Sequence, residues 1–348
     1  MRRILANLLC EDDLARDLDP RPRRRTAVPR SVLAKISRLG TLLRVFAREG
    51  DRLWTPAPVD PERVPDVPGL PSPILESGPL HELSRAEEVL AWCETREAAA
   101  HRGGARAAGA HLRNAPLHEL LWHLPTPEPS IVAAVHHRSF HLQVAEEIGC
   151  ALPGARIVMS LVELDRVLRS APRSWVVKAP LSAAGRDRYI ERNGPELSDP
   201  KARRTVERLL ERHGALLFEP WMERTEDFGV AALLTASELR IVGIHRQQVD
   251  RKGQFAGIDL ESEVPEEDRN RLMESAEEAA NALRRAGYVG PFGIDAWKYR
   301  REDGSIVLNP LGEINARMTF GLVAWTLAER VQSLSSLQRA PESPGHTS

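Results

Sequence analysis

The chain has 348 residues, and a prior of roughly 150 residues per domain predicts two or three packed units rather than one. Charged residues make up 28% and the hydrophobic set 42%, an ordinary globular composition, and a net charge of −1 supplies no global field for nucleic acid or an anionic membrane. No apolar run approaches the roughly 18 residues that span a bilayer, and aromatics at 5% are too sparse for single-strand nucleic-acid platforms.

Met1 to Cys10 lacks a small-x-small cleavage end and runs into Glu11-Asp12-Asp13, so a cytoplasmic protein without a signal peptide is expected. Cys10, Cys93 and Cys150 make neither a disulfide framework nor a CxxC knuckle. Arg2 to Leu9 reads as a strand, residues 20–30 as a basic, proline-broken loop, and residues 31–48 as helical. Residues 55–73 form a proline-rich linker. Ser84-Arg85-Ala86-Glu87 has the form of a capping box, which predicts a helix to about Cys93. Residues 98–114 carry a weak signal.

The pattern sharpens after Pro129. Ile131 to Val135 reads as an apolar strand, and Ser139 caps a helix stopping at Gly149. Ile157-Val158-Met159 is a short strand followed by a second capping box, Ser160 to Glu163. Trp175 to Pro180 is a strand, and Asp199-Pro200 opens a helix that Gly214 ends. Leu216-Leu217-Phe218 is a strand, and Phe228–Thr235 and Leu239–Val249 form a strand pair. A helix over 265–286 closes at Gly287, and strands at 291–300 and 305–309 flank the hairpin signal Asp303-Gly304. A helix over 320–337 is last, and the tail from Pro341 is expected to be disordered. The order is α/β, becoming α+β with antiparallel pairs in the C-terminal half.

Two segments carry chemistry. In an extended strand, residues two apart share a face, so Glu313, Asn315 and Arg317 project together. Centring the turn on Asp303-Gly304 places Asp295 opposite about residue 312, beside Glu313. Two carboxylates and an amide oxygen are hard ligands suited to Mg²⁺, which completes its shell with waters and phosphates. Arg317 beyond them has the fork that holds a carboxylate or phosphate. An exposed hairpin with a charged outer face is the competing reading. Only five of the 48 basic residues are lysines, and Lys178 follows Trp175-Val176-Val177 in an apolar strand, where an ammonium needs an anionic partner. The small-residue run Ser182 to Arg186 comes next, and small side chains let backbone N–H groups approach phosphate. Neither a Walker loop nor G-x-G-x-x-G is present.

Taken together and in order, these segments over about residues 130–330 resemble the ATP-grasp superfamily. His137-Arg138 and the helix after it look like the first nucleotide segment, with Arg138 where a lysine is usual. Val176-Val177-Lys178-Ala179-Pro180 looks like the second lysine, and Ser182, Gly185 and Arg186 belong to its flexible loop, here richer in alanine than glycine. Leu217-Phe218-Glu219-Pro220-Trp221-Met222 looks like the hinge that meets adenine. Thr225 to Val230 looks like the ribose step, with either Glu226 or Asp227 as the acid. Asp295, Glu313 and Asn315 look like the metal ligands, in an N-x-R form nearer the biotin carboxylase-like branch.

The resemblance implies an N-terminal α/β domain (1–125), a first lobe (126–218), a second lobe with the metal hairpin (219–338) and a tail (339–348). It implies ATP and Mg²⁺, with Mn²⁺ as a substitute, and a ligase that joins a small carboxylate to an amine or related nucleophile through an acyl phosphate. Lys178 and Arg138 would neutralise the phosphates, Arg246 would reach the γ-phosphate, and Arg317 would orient the substrate carboxylate. An exposed strand arginine is an equal reading of Arg246. Partners are small molecules, not nucleic acid or membrane, and a homodimer is compatible. An ATP-binding protein without ligase chemistry and a phosphotransferase on the same fold remain as alternatives. His137 and His141, four apart on a helix, lack a third metal ligand nearby and read better as structural residues or nucleotide neighbours.

Overall fold

The computed structural model describes residues 1–18, 28–64, 67–103, 115–182, 187–192, 194, 196–249 and 255–338. Most of the basic 20–30 stretch, residues 104–114, Gly185, Arg186 and the tail from 339 lie outside them.

The N-terminal elements are β1 (Arg2–Leu5), α1 (Glu11–Leu18), α2 (Arg30–Gly40), β2 (Arg52–Thr55), β3 (Ile74–Ser77), β4 (Glu88–Ala91), α3 (Arg96–Ala99) and α4 (Leu117–His123). The four strands form a parallel sheet in the order β3-β2-β1-β4. The helix expected after Ser84 is strand β4 instead. Parallel pairing with β1, Arg2 to Leu5 against Glu88 to Ala91, outweighs the local capping signal. The helix expected over 31–48 stops at Gly40, and a 3₁₀ segment covers Thr41–Phe46.

Arg3 is buried in this sheet at 1% exposure and donates through Nε to Glu76 Oε2 at 2.7 Å, while Arg52 pairs with the same carboxylate. Burial opposes the Glu76 charge, but Arg3 and Arg52 hold its pKa below the ordinary value. Removing one partner of a buried pair strands the other. Glu76→Ala is therefore expected to cost about 3 kcal/mol in urea unfolding at pH 7. Because the folded-state pKa is depressed, this contribution is present above the ordinary glutamate value and fades as pH falls below it. A penalty that persists undiminished at pH 3 would contradict the ion-pair account.

The chain continues with α5 (Pro129–His136), α6 (Arg138–Glu147), β5 (Arg156–Val158), α7 (Leu161–Leu168), β6 (Trp175–Lys178), β7 (Arg188–Glu191), α8 (Pro200–His213) and β8 (Leu216–Pro220). The apolar run Ile131 to Val135 is helix, not strand. Periodicity cannot separate the two over five residues, and Pro129 at the first helical position was the deciding cue. His137, not Ser139, caps α6, its Nδ1 accepting from the Ser139 N–H at 3.2 Å. Ser160 caps α7, Asp199 caps α8, and Gly214 ends α8 at φ 76°. Strands β5-β8-β6-β7 form an antiparallel sheet with its own core, in which Trp175, Val177, Val206, Leu216 and Phe218 are buried.

The last elements are β9 (Glu223–Leu234), β10 (Leu239–Val249), β11 (Phe255–Asp259), α9 (Glu266–Arg285), β12 (Gly290–Arg300), β13 (Ile306–Asn315) and α10 (Phe320–Gln338). Their antiparallel sheet runs β11-β10-β9-β12-β13. One continuous core joins this sheet to α5, α6 and the N-terminal unit, from Ile4 and Leu43 through Val132 to Phe228 and Ile314. A small cluster of Leu152, Trp297 and Tyr299, with Met222 against it, lies where the chain enters and leaves the β5–β8 unit. No helix among the described residues is long and apolar enough to cross a membrane.

Candidate nucleotide and metal site

The β12–β13 hairpin sets the geometry. Asp295 stands directly opposite Glu313, and Gly293 opposite Asn315. Counting back from the turn gave residue 312. The ladder beside the turn, from Arg300–Ile306 to Trp297–Asn309, would put residue 311 opposite Asp295, and an irregularity between Asp295 and Trp297 advances the register by two, to Glu313. Gly312 sits at that irregularity, and a Cβ there would interpenetrate the Trp297 ring, so close ring-on-backbone packing requires glycine.

Glu313 lines a cleft of about 410 Å³, open to solvent, together with Arg138, His141, Lys178, Glu219 and Leu311. Arg138 is 8% exposed and bridges both sides of it. Its Nη1 donates to Ser182 Oγ at 2.9 Å and its Nη2 to Glu313 Oε1 at 3.1 Å, while its backbone N–H donates to the Pro180 carbonyl. Lys178 pairs with Glu219 across neighbouring strands, which supplies the anion that its apolar strand demands. Burial pushes the Glu313 pKa up, but Arg138 first, with His141, Lys178 and His136, holds it down at about 2. Asp295 goes the other way. Burial and then the Glu313 charge raise it, against hydrogen bonds from Gln247 Nε2 at 2.8 Å and Asn315 Nδ2 at 3.0 Å.

Among the described residues no group of three or more His, Cys, Asp or Glu side chains stands ready to hold a metal. Two cross-strand carboxylates and an adjoining amide do fit Mg²⁺, which takes one or two carboxylates and draws the rest of its shell from water and phosphate. A cation would also relieve the charge repulsion that raises Asp295.

The remaining candidates divide by strand parity. Asp227 pairs with Trp297 and Gln247, on the face of Asp295. It is buried, accepts from Arg224 Nη1 at 3.0 Å, and burial raises its pKa. Glu226 and Arg246 occupy the other face, paired with each other and next to Lys298, which reaches Asp268 of α9. The expected reach of Arg246 to a γ-phosphate is therefore corrected: the alternation that aims His245 and Gln247 at the carboxylates aims Arg246 away. Met222 packs beside Trp297, and Trp221 lies under the Arg188 and Arg192 guanidinium groups at 5.9 and 5.5 Å. Arg317 follows Asn315, donates Nη1 to the Met318 carbonyl at 3.0 Å and sits 5.2 Å from the Trp92 ring. Burial opposes its charge, but Cys10, Glu11, Cys93 and Asp295 around it raise its pKa. His141 is buried in the cleft wall with its pKa lowered by burial to about 4, its Nε2 on the Val135 carbonyl.

Sequence reasoning passed over Gln247. Its position opposite Asp227, two residues beyond the Gly229 partner His245, is the only signal, and it requires the strand register.

No family model and no curated protein sequence matches the chain. Solved structures do. The ADP complex of an N5-carboxyaminoimidazole ribonucleotide synthetase superposes with a TM-score of 0.51 at 14% identity, over 81% of this chain and 68% of that one. An N5-carboxyaminoimidazole synthetase from Staphylococcus aureus gives 0.51 at 10% identity, over the same shares. The chain has the ATP-grasp fold. The cleft lined by Lys178, Glu219 and Glu313 lies between the β5–β8 sheet and the five-stranded sheet.

Proposed function

We propose that this protein is an ATP-dependent ligase that joins a small-molecule carboxylate to an amine or related nucleophile, with release of ADP and phosphate. The observation that carries the reading is the direct pairing of Asp295 with Glu313 at a cleft that also presents Lys178 and Arg138. Two cations and the Glu313 carboxylate at one opening, with Asp295 opposite that carboxylate on the neighbouring strand, match the charge pattern of a metal-bound polyphosphate.

In this reading Glu219 and the backbone that follows it meet the adenine, and Asp227 meets the ribose. Lys178 and Arg138 exchange their carboxylate partners for phosphate oxygens, keeping each charge paired when nucleotide enters. Asp295, Glu313 and Asn315 would hold Mg²⁺, or Mn²⁺ in its place, which would supply positive charge to the phosphates. Gln247 fixes the Asp295 carboxylate. A carboxylate oxygen of the substrate attacks the γ-phosphorus, and ADP leaves. The amine then attacks the acyl carbon of the acyl phosphate, inorganic phosphate leaves with the bond electrons, and the nitrogen gives up one proton to solvent. Most of the protein's contribution is positioning and charge neutralisation.

The test is a screen of carboxylate and amine pools with ATP and Mg²⁺. ADP formed in step with an amide product supports the ligase. AMP release, or a phosphorylated product without condensation, refutes it, the latter in favour of a phosphotransferase. Lys178→Met is expected to weaken ADP binding by about tenfold or more in calorimetry, because it removes a cation and leaves Glu219 unpaired. Lys178→Arg is expected to retain most of the affinity, and equal loss in both variants would show that charge is not what Lys178 supplies.

A further inference from the structure

His245 lies on the carboxylate face of the five-stranded sheet and plays no part in the chemistry proposed above. It is 3% exposed, and its Nδ1 is buried without a hydrogen-bond partner among the described residues. Buried polar groups are almost always hydrogen-bonded, so a histidine kept in this state needs a reason. An aliphatic residue would fill an ordinary core position without stranding a polar atom.

The strand register supplies the reason. Asp295, Gly229 and His245 occupy one rung across β12, β9 and β10. Residues on a rung share a face, and the central glycine puts no side chain between the outer two. A Cβ at Gly229 would fall 2.3 Å from His245 Nε2 and 2.8 Å from Gln247 Nε2, so both side chains lie over the bare backbone of β9. Gln247 continues to Asp295, donating to its Oδ1 at 2.8 Å. Helix α10 closes the imidazole from another side. A Cβ at Gly321, the second residue of that helix, would fall 2.3 Å from His245 Cε1, and its three nearest neighbours would all be atoms of this ring. The imidazole is therefore wedged between a glycine of the sheet and a glycine of the helix, beside Gln247. Burial lowers its pKa to about 4, so at neutral pH it acts through bulk and carries no charge that would oppose a cation.

We propose that His245 is a positioning residue for the candidate metal site: wedged between Gly229 and Gly321, its imidazole confines the Gln247 amide to the side on which it meets Asp295. The inference rests on the metal role of Asp295 and Glu313 and adds a supporting tier to it. Gln247 orients the carboxylate, and His245, held by the start of α10, orients Gln247.

The experiment is Mn²⁺ binding to the full chain with ADP present, read as the loss of the free-ion signal in electron paramagnetic resonance, at a temperature where each variant is fully folded. His245→Ala is expected to weaken Mn²⁺ binding by about tenfold or more, the usual scale for losing a group that supports a metal ligand, whereas His245→Gln, close in volume, polar and never charged, stays within about threefold of wild type. Gly321→Ala places its new carbon against the ring and changes no candidate ligand, so it is expected to weaken Mn²⁺ binding by about tenfold alone and to add nothing in the His245→Ala background, where the ring is gone. ADP affinity without a divalent ion is expected to be unchanged throughout, which separates the metal site from a general loosening of the cleft. If His245→Ala does not fold, Gly321→Ala alone decides: a loss of Mn²⁺ affinity upholds the wedge and wild-type affinity overturns it. No Mn²⁺ binding by the wild-type chain overturns the metal reading together with this inference. Mn²⁺ binding that His245→Ala and Gly321→Ala both leave unchanged overturns this inference alone, as does an equal loss in His245→Ala and His245→Gln.

Discussion

Asp295→Asn and Glu313→Gln are each expected to abolish ATP turnover while the fold is retained. The two carboxylates face each other across one rung of the β12–β13 ladder, and each substitution preserves shape while removing one charge. If the pair holds a divalent cation, its negative charge would matter more than its oxygen positions, so losses of about 10³-fold or more are expected, on the scale of other electrostatic deletions at phosphoryl centres. Stability should move in opposite directions. Asp295 is destabilised as an anion by burial and by Glu313, so its neutralisation relieves repulsion. Glu313 is stabilised by Arg138 and Lys178, so its amide leaves the buried Arg138 with a weaker partner. Thermal melting of both variants with and without ADP–Mg²⁺ separates these effects. Wild-type rates of ADP formation in either variant would eliminate the metal role.

The hairpin was the most legible part of the chain because its signals are local. An Asp-Gly turn, a two-residue alternation and the run Glu313-Ile314-Asn315-Ala316-Arg317 need no knowledge of distant segments. The same locality set the limit. The irregularity that displaces the register at Asp295 coincides with the close approach of Trp297 to Gly312, a contact with no mark in a strand pattern. Arg246 and Gln247 differ by one position, and only the pairing Gly229–His245 decides which of them faces the carboxylates. The N-terminal third was hardest to read. Its four strands have four residues each, too few for a period to emerge, and what makes them strands is their mutual parallel pairing. The nucleotide cleft combines both cases. Lys178 declared itself as an ammonium in an apolar strand, whereas Glu219, its partner 41 residues on, became visible as such only when β6 and β8 paired.

Gly312→Ala is expected to damage the site through packing alone. A Cβ at this position has no room, because it would fall within 2.5 Å of three Trp297 ring carbons. The ring cannot retreat easily. Trp297 is 4% exposed, packs with Leu152, Tyr299 and Met222, and has the Arg224 guanidinium 3.8 Å from its ring centroid. Overpacking of this kind typically costs about 1–3 kcal/mol. The functional cost should exceed what that loss alone would predict, because Gly312 lines the cleft and precedes Glu313 in the same strand. Displacing the ring crowds the cleft and tilts the Glu313 carboxylate out of register with Asp295, so ADP–Mg²⁺ affinity is expected to fall by about tenfold or more even at temperatures where the variant is fully folded. Gly304→Ala is the control. Gly304 lies in the same hairpin at φ 83° with nothing within 4 Å of a built Cβ, so it should lose stability from backbone strain yet leave affinity unchanged. If both variants lose affinity equally, the hairpin acts only as a folded whole. If Gly312→Ala alone loses it, the Trp297–Gly312 contact is what holds the two carboxylates opposite one another.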